Sequence, residues 1–489
     1  MEKQNKKGKR SFIPKSPALI IISLLFLIVE IVFMSLLTVL NILPTVTNMM
    51  LLVVLIALTV LIIKLLSSRK EHTAQRKVGT IISIVLIILL GIGTFYLFST
   101  YSLFNKASDG DGQYEVYDVV ALKDGSYKKV KDIDGQAVFV SNNLSETYEK
   151  AKIELSKEVD VNYKEAASQT ELKNALVDGN GKEKDNIIFL SDSNYEMLCE
   201  YSEDFEDKTR VIYTVAIKLE SKDTAKRVGI TDTPFNVYVT GIDTYGGINK
   251  VSRSDVNMIM TVNPRTKEIL LTSIPRDMYI PLHSYGSLDK LTHSGIYGVD
   301  ETIQTVEDWL DIDINYYIRV NFTSLKDIVD VLGGVDVESE YAFSSSVSDY
   351  SYVEGTNHLD GEAALYFARE RKSFKEGDGE RIKNQQRVLK AILEKVTGSS
   401  AILTKYTSLL NAVDDEIQTN MTQSDISALV KMQLEDLGGW DIQTISIKGT
   451  GTMAPTYSMG NRNLYVVIPD EKSVKAAQDA IYEVMHAVN

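Results

Sequence analysis

A single cysteine, Cys199, stands among 489 residues, so no intramolecular disulfide can form. An exported domain built this way fits a bacterium that does not rely on oxidative folding. The five histidines, His72, His283, His293, His358 and His486, show no zinc-ligand spacing. There is no GxSxG elbow, Walker loop or GxGxxG fingerprint, which removes the local signatures of α/β-hydrolases, P-loop NTPases and dinucleotide enzymes. Positive charge is also scarce over most of the chain. The net charge is −14, but residues 1–78 hold 11 Lys/Arg against 3 Asp/Glu, leaving 41 against 63 for the remainder. An acidic body excludes bulk nucleic-acid affinity, which needs clustered positive charge on the folded part.

Long apolar runs, by contrast, are present. Residues 17–43, 49–66 and 78–98 are almost uncharged, and each approaches the roughly 20 residues needed to cross the hydrocarbon core. A cleaved signal peptide would have one shorter run and a small-residue exit site. The first 16 residues carry Lys3, Lys6, Lys7, Lys9, Arg10 and Lys15, and the second link carries Arg69, Lys70, Arg76 and Lys77. The first link, NILPTVTN, is uncharged. Positive segments stay inside, so the expected topology is a multi-pass anchor in the cytoplasmic membrane, its N-terminus inside and residues 100–489 outside. Glu30 lies mid-span, where a carboxylate either serves function or faces a neighbouring helix.

Beyond the spans, 108–222 reads as an accessory α/β domain without a catalytic constellation. Its expected strands are Gln136–Val140, Asn186–Leu190 and Arg210–Ile217, with helices at Ser145–Leu155 and Ser168–Val177. After a linker at Glu220–Thr233, a second domain covers 234–489, with a core at 234–397 and a C-terminal extension. Here Asn236–Thr240, Asn257–Val262, Glu268–Ser273 and Asn315–Val320 read as strands, and the Asn263-Pro264-Arg265-Thr266 turn makes an antiparallel hairpin. Asp300–Leu310, Thr323–Leu332 and Glu380–Thr397 read as helices, Ala363–Arg371 as a strand, and the extension adds helices and the strand Leu464–Ile468. The implied class is α/β, with helices layered on a mixed central sheet.

Two groups of residues could carry chemistry. On a strand, Arg369 and Arg371 share one face; Arg381 and Gln385 are i and i+4 on the next helix. A helix N-terminus is a natural anion site, and guanidinium groups grip phosphate in a bidentate fork, so the set suits a diphosphate. The plainer alternative is a solvated stretch paired with Glu370, Glu376 and Glu380. Separately, Asp243 closes the domain's first strand and Arg253-Ser254-Asp255 precedes the next. Two carboxylates there could hold Mg²⁺, which prefers few carboxylates plus water and phosphate oxygens. Arg276-Asp277 follows the hairpin and could reach the same edge; turn capping and surface ion pairs are the alternative for each residue alone.

These segments resemble the LytR-CpsA-Psr family, and the three spans with an extra extracellular domain resemble its CpsA-type capsule members. The matching stretches are NVYVTGID, RSDVNMIMTVNP, TSIPRDMYIPL, KLTHSGIYGV, NFTSLKDIVDVLGGVDV, and ALYFARERK with GDGERIKNQQ. The resemblance implies an extracellular phosphotransferase of a Gram-positive bacterium, moving capsular polysaccharide from an undecaprenyl-diphosphate carrier to peptidoglycan. By position, Asp243 and Asp255 fall on Mg²⁺ ligands, and Arg276, Arg369, Arg371, Arg381 and Gln385 on diphosphate-binding positions. Arg253 and Asp277 lie on further motif positions, and Lys290 stands near another basic contact. The catalytic groups so implied are Arg276, Asp277, Arg369 and Arg371; the acceptor's proton would pass to Asp277 or Asp255. Lys375-Glu376-Gly377 lengthens the loop before Asp378 relative to the family. An apolar tunnel for the lipid tail is also implied, drawing on the Thr323–Leu332 helix. Competing readings are a polyprenyl-diphosphate phosphatase and a non-catalytic regulator or scaffold of capsule synthesis and export.

Overall fold

The computed structural model describes residues 16–68, 73–109, 113–141, 145–177, 186–202, 204–219, 223–242, 248–398 and 417–488. The basic tail before Ser16 and the carboxylate of Asp243 lie outside them. The chain divides into two compact units.

The first unit contains α1 (Pro17–Leu40), α2 (Thr45–Leu66) and α3 (Thr73–Asp109). All three are long and apolar enough to cross a membrane, with mean hydropathies of 2.9, 3.0 and 2.7 over the spans. Phe26, Leu55, Ile62, Leu66 and Leu90 form their shared contact. Glu30 is buried and accepts a hydrogen bond from the Thr59 hydroxyl, so it satisfies a helix–helix contact. The amphipathic helix Gln423–Glu435 joins this unit by packing Ile426, Val430 and Leu434 against Leu40 and Ile42.

The second unit opens with a five-stranded sheet of β1 (Tyr114–Leu122), β2 (Ala137–Ser141), β3 (Asn162–Ala166), β4 (Ile187–Ser191) and β5 (Thr209–Lys218), in the order β3-β2-β4-β1-β5. Alternation sends Tyr117, Val119, Ile187 and Phe189 to one face, under α4 (Glu146–Glu158). Val120, Ile188 and Leu190 turn to the other, under α5 (Gln169–Val177), α6 (Asp192–Tyr201) and the single turn α7 (Phe205–Lys208). That second cluster also takes in Ile296, Met459 and Leu464 of the following domain. The two domains therefore share a core.

The larger sheet runs β16 (Ile417–Thr419), β11 (Tyr316–Val320), β6 (Phe235–Gly241), β7 (Val256–Asn263), β8 (Glu268–Ser273) and β17 (Asp441–Ser446). β6 with β11 and β8 with β17 are parallel; β6–β7, β7–β8 and β11–β16 are antiparallel. Short ladders join β9 (Tyr279–Pro281) to β10 (Leu288–Lys290), β12 (Val335–Ser339) to β15 (Gly355–Leu359), β13 (Phe343–Ser344) to β14 (Ser351–Tyr352), and β18 (Gly449–Thr456) to β19 (Gly460–Pro469). After the one-turn α8 (Leu291–Ser294), α9 (Val299–Leu310) and the helix Glu471–His486 pack on the face bearing Tyr238, Ile259 and Leu270. α10 (Phe322–Leu332) is fixed at both ends: Asn321 accepts from the Ser324 amide at 2.8 Å, and Gly333 follows with φ 77°. This is the expected α/β class with a mixed central sheet.

One expected element differs. Ala363–Arg371 is not a strand: Gly361–Arg369 forms α11, leading to α12 (Asp378–Thr397). The Asp360 carboxylate caps it by accepting from the Ala363 amide at 2.8 Å, and Ala363, Ala364, Leu365, Phe367 and Ala368 are buried at helical spacing. Gly361 is needed because α10 approaches so closely that any β-carbon would strike the Lys326 carbonyl.

Candidate functional site

Helix α11 ends at Arg369, and the next residue organises the site. Glu370 is 1% exposed, and its carboxylate accepts backbone N–H groups from Ser346 at 2.5 Å and from Arg371 and Ser373 at 3.0 Å. The chain thus turns tightly, and Arg369 and Arg371 flank a buried acid instead of alternating along a strand. Arg369 lies over the Phe322 ring, 4.1 Å from its centroid. Burial works against Glu370's ionisation, but the donated N–H groups outweigh it and hold its carboxyl below the ordinary value. Gly377, with φ 55°, admits the sharp entry into α12, whose first turns carry Arg381 and Gln385.

From the opposite edge come Arg253 and Asp255, on the loop before β7, and Arg276, just after β8. Arg276 donates to Asp255 at 2.6 Å; their side chains are 12% and 9% exposed. Thr292 donates to the same oxygen at 3.2 Å. Burial raises the Asp255 pKa, yet the charges of Arg253, Arg276 and Arg381 outweigh it and hold the carboxyl below its ordinary value. Burial opposes the Arg276 charge too, but Asp255 and Asp277 more than offset it and raise its pKa. Arg381 goes the other way: burial lowers its pKa, Asp378 opposes this, and the neighbouring Arg276 and Arg371 add to the decrease.

These groups surround one cleft of about 620 Å³. Arg253, Asp255, Arg276, Arg369, Arg371, Arg381 and Gln385 all line it, with Lys372 as a further cation and Phe322 and Val347 as apolar wall. Phe322 is the contribution of α10. The Nε atoms of Arg253, Arg276 and Arg381 are buried without a hydrogen-bond partner among the described residues. Such orphaned cationic donors are costly unless an anion completes them. The alternative of a solvated stretch neutralised by its own acids holds only in part: Arg371 and Lys372 are exposed, but Glu370 holds the turn, and Glu376 and Glu380 pair with Lys383, Glu380 also with Arg387. Arg381 pairs with Asp378.

Two residues expected here sit elsewhere. Asp277 and Lys290 form an ion pair at 2.5 Å, both nearly buried, and neither lines the cleft. Lys290 also donates to the Tyr201 hydroxyl at 3.0 Å, and Tyr201 lies 3.3 Å from His293 Nε2. His293 in turn contacts Asp289 at 2.7 Å, completing a buried network. Of the two carboxylates considered for taking a proton, only Asp255 is in the cleft, and its lowered pKa suits it to pairing with cations rather than holding a proton.

Sequence reasoning missed the third wall. Tyr195, Glu196, Cys199, Glu200 and Glu206, all from α6 and α7, line the same cleft. Glu200 pairs with Arg253 and lies 4.0 Å from Arg276. Nothing in the local sequence of α6 marks it, because the contact joins segments distant in sequence.

The depressed carboxyls set an acid limit on stability. A group whose folded pKa is lowered stabilises the fold above its unfolded value and loses that contribution as pH falls through the folded one. With ordinary values of 4.5 for Glu370 and 3.8 for Asp255, stability of the full chain in detergent should hold above about pH 5 and decline below about 4. Denaturant titrations across this range check it. Glu370→Gln should be less stable at neutral pH and show a shallower acid decline.

The LytR_cpsA_psr family matches residues 198–481. The polyisoprenyl-teichoic acid–peptidoglycan teichoic acid transferase TagU of Bacillus licheniformis is 36% identical over 228 residues, 46% of this chain and 68% of that protein. TagU of Bacillus subtilis is 35% identical over 246 residues, 48% of this chain and 74% of that protein. The crystal structure of B. subtilis TagU covers 53% of this chain and 99% of its own, with 31% identity and a TM-score of 0.41. Both the match over more than half the sequence and the coverage of the two transferases lead to one assignment: this chain belongs to the LytR_cpsA_psr family.

Proposed function

We propose that this protein transfers a capsular polysaccharide from undecaprenyl diphosphate to a peptidoglycan hydroxyl at the outer face of the cytoplasmic membrane. The observation that carries this reading is the convergence of five arginines and Gln385 on one cleft, three of the arginines with orphaned buried Nε donors. The related transferases are named for teichoic acid and a polyisoprenyl carrier; capsule as the cargo is proposed from the resemblance of the three spans and accessory domain to CpsA-type members. A multi-pass anchor with the N-terminus inside would keep the site where the lipid donor and the wall acceptor meet.

Phosphoryl transfer depends on positioning and on stabilising charge. In this reading Arg369, Arg371 and Arg381 hold one phosphate beside the α12 N-terminus, and Arg253 and Arg276 the other. Gln385 adds an amide, and Phe322 and Val347 limit water at the wall. We propose Mg²⁺ as the cofactor on the family resemblance: Asp255, which lines the cleft and pairs with Arg276, and Asp243, which lies outside the described residues, are its carboxylate candidates. No group of three or more potential metal ligands occurs among the described residues, so water and phosphate oxygens would fill the remaining positions, as Mg²⁺ prefers. When bound, the ion would neutralise charge on the departing phosphate.

The test is incubation of the full chain with a labelled polysaccharide–lipid diphosphate, with and without peptidoglycan. Label should enter peptidoglycan, in an amount that Asp255→Asn lowers by about 100-fold. Release of label at the same rate without peptidoglycan would show water as acceptor and convert the reading to a phosphatase.

A further inference from the structure

The accessory domain reaches into the cleft with an anion of its own. Glu200 is the penultimate residue of α6, and its carboxylate pairs with Arg253 and lies 4.0 Å from Arg276. Its side chain keeps 34% exposure, whereas those of Arg253 and Arg276 are 15% and 12% exposed. A carboxylate at a helix C-terminus faces the negative end of the dipole, which disfavours it there. The arginines compensate. Glu200 is therefore the most exposed member of its own ion pair.

The backbone beneath Glu200 is firmly held. Ser193 donates to the Val251 carbonyl at 2.8 Å, Lys250 pairs with Asp192 and with Glu196 at 3.1 Å, and Arg462 donates to the Ser202 hydroxyl at 3.1 Å. The shared core fixes Met197 and Leu198 against Met459 and Leu464. Removing the carboxylate from the arginines thus takes only rotation of the Glu200 side chain, with no movement of the domain.

We infer that Glu200 is a displaceable counter-ion occupying the phosphate seat formed by Arg253 and Arg276, so that the accessory domain controls entry of the second phosphate of a diphosphate. This deepens the diphosphate reading and rests on it. A single phosphate settles on Arg369, Arg371 and Arg381, whose acidic neighbour Asp378 belongs to the same helix. A diphosphate extends into the second seat and expels Glu200, because its bidentate contacts and greater charge outcompete one carboxylate. Asp378 pairs with Arg381 whichever ligand enters, so that cost is common to both, and the expulsion of Glu200 is added for diphosphates alone.

The experiment titrates the full-length chain in detergent, at fixed Mg²⁺, with inorganic pyrophosphate and separately with inorganic phosphate, by calorimetry. Glu200→Gln keeps the shape and removes the charge. It should tighten pyrophosphate binding roughly fivefold, the scale of a part-exposed ion pair, and leave phosphate binding within about twofold. Glu200→Asp, which keeps the charge, should stay nearer the wild type for both ligands. A merely structural role would weaken both ligands in both variants. Pyrophosphate binding left unchanged or weakened by Glu200→Gln overturns the inference while sparing the diphosphate reading. Failure of the wild-type chain to bind pyrophosphate overturns both.

Discussion

Replacing Arg276 with alanine should lower transfer of glycopolymer to peptidoglycan by two to three orders of magnitude and destabilise the fold by about 3 kcal/mol. Both effects have one cause. Arg276 is the partner of Asp255 at 2.6 Å, and both side chains are nearly buried. Removing one member of a buried pair leaves the other charge without compensation, and that costs more than the pair itself contributes. The same side chain lines the cleft, so its loss also removes stabilisation of phosphate charge in the proposed reaction. Arg276→Lys separates the two effects. It keeps the charge beside Asp255 and should recover most of the stability, but it loses the planar fork and should recover little of the transfer. Chemical denaturation together with the labelled-donor assay checks both, and normal transfer by folded Arg276→Ala would exclude the proposed site.

Glu370→Ala should be almost as damaging, although Glu370 does not line the cleft. Its carboxylate accepts three backbone N–H groups, from Ser346, Arg371 and Ser373. Truncation leaves these without their acceptor in a site that was 1% exposed. The expected cost is about 2–4 kcal/mol, since each orphaned donor costs roughly 1–3 kcal/mol and water recovers part of it. The turn that aims Arg369 and Arg371 should loosen, so transfer should fall at least about tenfold, the loss expected when a positioning group is displaced by about an ångström. Glu370→Gln retains an acceptor oxygen and should lie between. The measurement is transfer rate at a matched folded fraction. Wild-type transfer by Glu370→Ala would show that the turn does not position the arginines.

Much of this was legible in the sequence because the signals were local. Three apolar runs announced the spans, and short β-rich runs with a hairpin turn announced β6, β7, β8 and β11. The amphipathic run of α10 was legible in the same way, while its Asn321 cap emerged only in the structure. The Ala363–Arg371 segment was misread because alternating arginines were given more weight than Asp360, an N-cap followed by Gly-Glu-Ala-Ala. A cap fixes the first turn through one hydrogen bond, whereas two arginines two apart fit either a strand face or a turn held from within. The cationic pocket nevertheless forms, because the residues that face it follow the helix end and not the strand that was expected.

Local chemistry along the chain was sufficient to determine three helices long and apolar enough to cross a membrane, the α/β class and the arginine-rich character of the site, since hydropathy, periodicity and charge act between near neighbours. Only tertiary structure decided that Asp277 and Lys290 satisfy each other off the cleft, that Glu370 is a buried organiser of the turn, and that Glu200 reaches Arg253 from α6. Each of those outcomes depends on which charges burial brings within a few ångströms of one another. At such range in a desolvated site, electrostatics is too strong to leave pairings to sequence proximity.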